Sequence, residues 1–508
     1  MLSNRIIFAS LLLLSGGTAT VRSAEIDYRA SVTANASTDD FAPYMIGSWN
    51  YGKVTGASGI WHDGFFAKRM DYSSRFSWGA GVEYLLGYGS AAEYRHYFGD
   101  SHWGEEGNRQ APARIQQLYA EMKYRSLFLR VGMKEEPSIG IVDDDLSSGD
   151  LTLSNNARPI PGLSAGFTEF QNIPLTNGWV QINGSIMYGP FTDSRFRRDT
   201  FNHWTGLLCD DTWFTYKQCT FRTKPSEPFS VTVGLQAGAI FAGNAKQYYK
   251  GNIETEYRRG FRFKDAFNML FPHQGNGENF YTGNTTGSWV LRARYRFRND
   301  SEAAFYFEGP WEDGSGIGRQ NGWDGLWGLQ FNFPAPGIIS KAVVEYFDFT
   351  HQSGPLLWSE VDNPGTTITS GVSGNDNYYN NSLYGTYSNY GMSIGSPFVV
   401  SPLYNTNGRP EYLHNRARGF HAAVMGRLAG SMEYKAMVSY QKAGGYGSNP
   451  AIHRLHDTSA MLQIGWTPTA IPALTVKGQI AFDAGNLRGN NLGALVGVTY
   501  SGSFDIRR

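Results

Sequence analysis

Four arginines, Arg292, Arg294, Arg296 and Arg298, recur at every second position between Ser288 and Glu308. At that spacing in a β-strand all four project to one face. A row of guanidinium groups binds carboxylate or phosphate through bidentate forks, which makes the row a candidate anion site or lumen lining. A blander account competes with it. After the turn signal Asn299–Asp300, Glu302 and Glu308 return on the neighbouring strand and would balance the row as an ordinary polar face. A second group gathers aromatic rings with acids and amides: Trp311 and Asp313, then Trp323, Asp324 and Trp327, then Tyr378 and Tyr379 within an asparagine-rich stretch. Sugar faces stack on such rings and sugar hydroxyls bond such carboxylates, so these seven are the candidate glycan-binding residues. For the tryptophans, an interfacial girdle at a membrane surface is the competing explanation.

Four other constellations are weaker. Asp143, Asp144 and Asp145 could seat calcium but lack the spaced ligands of a known loop. Gly162-Leu-Ser164-Ala-Gly166 matches a nucleophile elbow, which needs a strand, a sharp turn and a helix, and the sequence that follows reads as a turn and a strand. His453 and His456, with Asp457, precede a strand, where three-residue spacing puts them on opposite faces. Cys209 and Cys219, the only cysteines, suggest a disulfide in an exported chain, because an oxidising compartment favours the pair. No metal, cofactor or catalytic set emerges.

The elements that position these residues alternate with period two. Phe76, Trp78, Ala80, Val82 and Tyr84 oppose Arg75, Ser77 and Glu83; Leu118, Ala120, Met122 and Tyr124 oppose Gln117, Tyr119, Glu121 and Lys123; Met432 to Gln441 and Leu474 to Asp483 repeat the pattern. About eighteen such strands can be counted, near the length a tilted membrane strand needs, and very short connections alternate with loops of tens of residues. Strands are expected at about Ile26–Asn35 and Ala42–Asn50, with a short helix at Lys264–Phe271. Aromatics make up 15% of the 508 residues and charged residues 17%, with 61 glycines and zero formal net charge, so no bulk field points to nucleic acid. The first residues, basic at Arg5 and apolar from Ile6 to Leu14, read as a secretory signal within residues 1–24. The expected architecture is therefore all-β: a transmembrane antiparallel β-barrel of about 18 strands over residues 25–508, with long extracellular loops, in the outer membrane of a Gram-negative bacterium.

Leu151-Thr-Leu-Ser-Asn-Asn-Ala-Arg158-Pro-Ile-Pro161-Gly, Gly184 to Phe191 with Asp193, Val344-Glu-Tyr346 with Gln352-Ser-Gly354, and Asn415-Arg416 resemble the capsule assembly Wzi family of outer-membrane barrels. The resemblance implies a non-enzymatic, lectin-like barrel that binds capsular or exopolysaccharide in surface attachment, assembly or export. Its partners would be outer-membrane lipid, the polysaccharide and components of an export machinery. The helical bundle that some members carry at the N-terminus has no counterpart before the strands that begin near Tyr28. Two other functions fit the residues: a porin-type channel for sugars or anions with the arginine row as constriction, and an outer-membrane hydrolase.

Overall fold

The computed structural model describes residues 24–270, 283–312, 314–334, 337–353, 376–446 and 449–506; the expected signal segment lies almost wholly outside them. The barrel strands are β1 (Ala24–Ser37), β2 (Gly59–Lys68), β3 (Phe76–Gly89), β4 (Ala113–Tyr124), β5 (Leu127–Met133) and β6, made of Gly162–Phe167 and Gln171–Asn172. They continue as β7 (Val180–Pro190), β8 (Trp213–Thr223), β9 (Phe229–Phe241), β10 (Gly283–Arg296), β11 (Glu302–Trp311) and β12 (Gly325–Asn332). The last six are β13 (Lys341–Asp348), β14 (Ala417–Ala429), β15 (Met432–Tyr446), β16 (Asn449–Trp466), β17 (Leu474–Gly485) and β18 (Asn491–Ile506). Each pairs antiparallel with its sequence neighbours, and β1 pairs with β18 from Ala24↔Ile506 to Ser37↔Gly493. That last pairing closes the sheet and leaves no edge.

The alternation read from the sequence sets which face is which. Phe76, Trp78, Tyr124, Phe229, Tyr295 and Tyr500 stay exposed on the outer wall near the short-turn rim, as an apolar belt must be in lipid. Inward neighbours are polar and buried, among them Glu83, Gln117, Glu121, Gln236, Glu308 and Glu345. Among the described residues no helix is long and apolar enough to cross a membrane.

Short turns at residues 125–126, 224–228, 297–301 and 430–431 lie at one rim together with both described chain ends. Residues 38–58, 90–112, 134–161, 191–212, 349–353 and 376–416 emerge at the other. The long connections are not structureless. Residues 92–108 form a hairpin (Ala92–Tyr97 with Trp103–Asn108), and Gly206–Asp210, Gly243–Tyr249 and Asn252–Arg259 form a three-stranded sheet.

Two expectations need correction. Ala42–Asn50 is not a strand. It carries the one-turn helix α1 (Tyr44–Gly47), folded into the lumen with Tyr44, Met45 and Ile46 buried, and their apolar run reflects that burial. Cys209 and Cys219 are free thiols. Cys209 is buried in the loop sheet beside Leu383, while Cys219 lies six residues down β8, exposed and opposite Gly184 and Leu235. Six strand residues span on the order of 20 Å, far beyond disulfide reach. Burial also pushes the Cys209 thiol up to about 12. Denatured protein is therefore expected to take up two equivalents of thiol reagent without prior reduction, and reductant should leave its thermal transition unmoved. The expected short helix is present as α2 (Phe263–Asn268), lying on the outer wall, where Met269 packs on Ala239 and Phe241.

Candidate functional site

The lumen is filled. Residues 134–161 turn back into it instead of projecting outward, and non-helical backbone at that depth is stable only if its N–H and C=O groups find partners. Inward-facing side chains of the wall supply them. On β13, Glu345 accepts from the hydroxyls of Ser147 and Tyr306 and from the Ser148 N–H at 2.7 Å. Gly328 on β12 makes this possible, because a Cβ there would lie 2.0 Å from the Tyr306 ring that crosses it. On β11, Glu308 accepts the Leu151 N–H at 2.7 Å, and on β9 the Gln236 amide donates to Asp150 at 2.7 Å. Asp150 also accepts the Thr152 N–H at 2.7 Å, and burial pushes its carboxyl up to about 6. On β14, His421 Nε2 donates to Leu146 O at 2.8 Å. Ile141, Leu146 and Leu151 are at most 1% exposed, so the segment is a plug with its own apolar interior.

Residues 376–416 cover the plug at the long-loop rim. The Tyr379 hydroxyl donates to Leu151 O at 2.6 Å, Tyr387 to Thr152 O at 2.9 Å and Ser396 to Ser148 O at 2.7 Å. Asn415 donates to Tyr378 O at 2.6 Å, and the Gln352 amide donates to Phe349 O at 2.9 Å. Several stretches of the quoted resemblance, Leu151–Pro161, Glu345, Gln352 and Asn415, thus converge on the plug and its cover.

The sequence-derived candidates fall in separate settings. Arg292 donates to Ile141 O of the plug at 2.7 Å and to Gln330 at 2.9 Å. Arg294 pairs with Glu302 at 2.9 Å and reaches Ser230, while Arg296 donates to Ser226 O at 2.6 Å. Arg298 lies exposed in the turn after β10. The row therefore ties plug and short turns to the wall at the short-turn rim, and Glu308 serves Leu151 rather than the arginines.

Trp311 is buried against Gly287 and Gly316, and Asp313 lies outside the described residues. Asp324 is buried, accepts the His351 and Gln352 N–H groups at 2.9 and 2.7 Å, and is pushed up to about 6 by burial. Trp323 is 75% exposed and its ring lies 5.6 Å from Trp327, which packs on Phe307 of the outer wall as a girdle residue would. Tyr378 and Tyr379 are each 1% exposed inside the cover. Asp143 and Asp145 face Lys341 at 2.9 and 3.6 Å. Ser164 sits mid-strand in β6, so no elbow forms around it.

A different cluster gathers accessible rings at the long-loop rim. Tyr97, Trp103 and Trp204 stand mutually 4.6 to 5.3 Å apart, with the Arg95 guanidinium 4.6 Å over Trp103. All three rings are partly exposed, and Phe98 and Tyr249 beside them are exposed. Gly251, at φ +82°, lets the loop sheet close on Tyr97, since a Cβ there would come within 2.3 Å of the ring. The hairpin bearing Tyr97 rests on residues 403–406 through Tyr94 and Arg95. That segment also lines a cavity of about 330 Å³ with Asp39, Asp40, Tyr404, Asn405, Asn407 and Asn491. Rings, carboxylates and amides thus meet on one surface. Sequence alone does not join Trp103 to Trp204, because the two meet only through packing of separate loops.

No family model matches the chain, and no curated protein matches it by sequence. Among solved structures, Wzi of Escherichia coli, an outer-membrane protein involved in group 1 capsule assembly and described as a carbohydrate-binding β-barrel, superposes with a TM-score of 0.52. The identity is 12%, over 92% of this chain and 83% of that one. OccK3 (OpdO) of Pseudomonas aeruginosa gives 0.45 at 11% identity over 94% and 96% of the two chains. OprD of the same organism gives 0.44 at 10% over 96% and 96%. The superposition on Wzi is a likeness of fold, and on it the chain is an 18-stranded antiparallel β-barrel of the outer-membrane type.

Proposed function

We propose that this chain is a non-conducting surface lectin of the Wzi kind, which holds capsular or exopolysaccharide at the cell exterior for attachment, assembly or export, without chemistry. The single observation that favours it over a diffusion channel is the plug, whose backbone is bonded to the wall carboxylates Glu345 and Glu308 and whose Asp150 carboxylate accepts from Gln236 of the wall. A porin would keep that lumen open to water. The long-loop rim is placed outside the cell by the rule that outer-membrane barrels have short periplasmic turns. There the Tyr97–Trp103–Trp204 cluster offers stacking faces, and the adjoining cavity offers acids and amides for hydroxyls.

Purified protein should bind isolated cell-surface polysaccharide in a calorimetric titration. Trp103→Ala and Trp204→Ala should each weaken that binding by about tenfold, since aromatic anchors of this kind contribute above ~1 kcal/mol. Trp323→Ala, in the girdle, should leave it unchanged. Equal binding by the wild type and both rim variants would remove the cluster from the account.

A further inference from the structure

A second cavity, of about 200 Å³, lies deeper in the barrel between the in-folded segment around α1 and the wall built by β15 to β18. Lys53, Lys435 and Lys477 line it, with Gln463 and Gln479 between them and one carboxylate, Asp145. Two of these charges are already engaged. Lys53 pairs with Glu83 at 2.8 Å and Glu135 at 2.9 Å, and Asp145 lies 3.6 Å from Lys341. Lys435 has only a carbonyl, Asp145 O, at 3.2 Å. Lys477 makes no hydrogen bond or ion pair with any described residue.

The two ammonium groups stand on nearby strands. Lys435 is opposite Gln463, Gln463 is opposite Gln479, and Lys477 lies two residues from Gln479. Both lysines are largely covered and project into the lumen three residues from the short-turn ends of β15 and β17. Two cations that form no ion pair of their own in a confined space are costly unless an anion joins them. The nearby glutamine amides can add neutral hydrogen bonds.

We infer that this cavity is an anion-binding site, distinct from the outer aromatic rim, which takes a compact oxyanion, a carboxylate or a phosphate, carried on a sugar. Its position beneath the plug gives it the short-turn side of the barrel as its approach. An acidic sugar would set its oxyanion between the Lys435 and Lys477 ammonium groups and its hydroxyls toward Gln463 and Gln479. Because none of its residues belongs to the rim cluster, the site stands or falls independently of glycan binding there.

The test is thermal unfolding of the purified full-length protein with glucuronate, inorganic phosphate or glucose as probe, at low and at high salt. Either anion, or both, should raise the transition temperature of the wild type and of Trp103→Ala, the rise should shrink at high salt, and glucose should give none. A rise with glucuronate alone assigns a carboxylate sugar, and a rise with phosphate alone a phosphorylated one. Lys477→Met should raise the transition temperature without ligand, because it removes an uncompensated charge, and should weaken the anion response by about tenfold or more. Lys435→Gln provides the same comparison should Lys477→Met fail to fold. The inference is overturned if neither anion shifts the wild type, if glucose shifts it equally, or if the folded lysine variant responds as the wild type does.

Discussion

Replacing residues 139–156 by a short Gly/Ser linker converts a closed barrel into a conducting one. An 18-stranded barrel encloses a lumen wide enough for a water-filled channel unless something occupies it. Here the occupant is the plug, with Ile141, Leu146 and Leu151 buried at the lumen centre. The cover leans on the same segment through Tyr379, Tyr387 and Ser396, so the deletion also removes its support. The wall itself stays intact, because its eighteen strands pair only with one another. Liposomes carrying the deletion variant should swell in neutral sugars about tenfold faster or more than those carrying the wild type. Equal rates would mean that the plug is not what closes the barrel.

Glu345→Ala should release the plug without touching its sequence. Glu345 is 1% exposed and is the acceptor for three donors, two from the plug and one from Tyr306. Its loss leaves the Ser148 N–H without an acceptor inside the barrel, while the two hydroxyls can rotate to weaker partners. Removing a charged acceptor from buried donors costs about 3 kcal/mol. Protection of plug amides against hydrogen exchange should therefore fall by about 100-fold, and protease should cut within residues 137–160. Glu345→Gln keeps the shape and one acceptor oxygen and should lose about half as much free energy. Undiminished protection in the alanine variant would show that the apolar interior alone holds the plug.

What could be read from the sequence follows from where the information is local. Strands such as Phe76–Gly89 and Leu474–Gly485 were legible because lipid on one side and a polar lumen on the other impose period two on consecutive residues. The plug was not, because its partners are tens to hundreds of residues away: Ser147 meets Glu345, and Leu151 meets Glu308 and Tyr379. Ala42–Asn50 imitated a strand since its apolar side chains face the plug interior rather than lipid. For the arginine row, neutralisation by Glu302 was visible as a hairpin neighbour, whereas the Arg292 bond to Ile141 O required knowing that residue 141 enters the lumen. The cysteine pair misled because ten residues of separation look short in sequence, but a loop sheet and half a barrel strand intervene. At the rim, Trp103 and Trp204 belong to different long loops, which meet through contacts such as Gly251 against Tyr97 and Asn108 with Thr200.

Conductance of the purified wild-type protein in planar bilayers separates a closed barrel that serves binding from one that serves diffusion. The intact, plugged barrel should give no stable open steps at low applied voltage, with steps appearing once the plug is deleted. Large, long-lived steps from the wild type would contradict it.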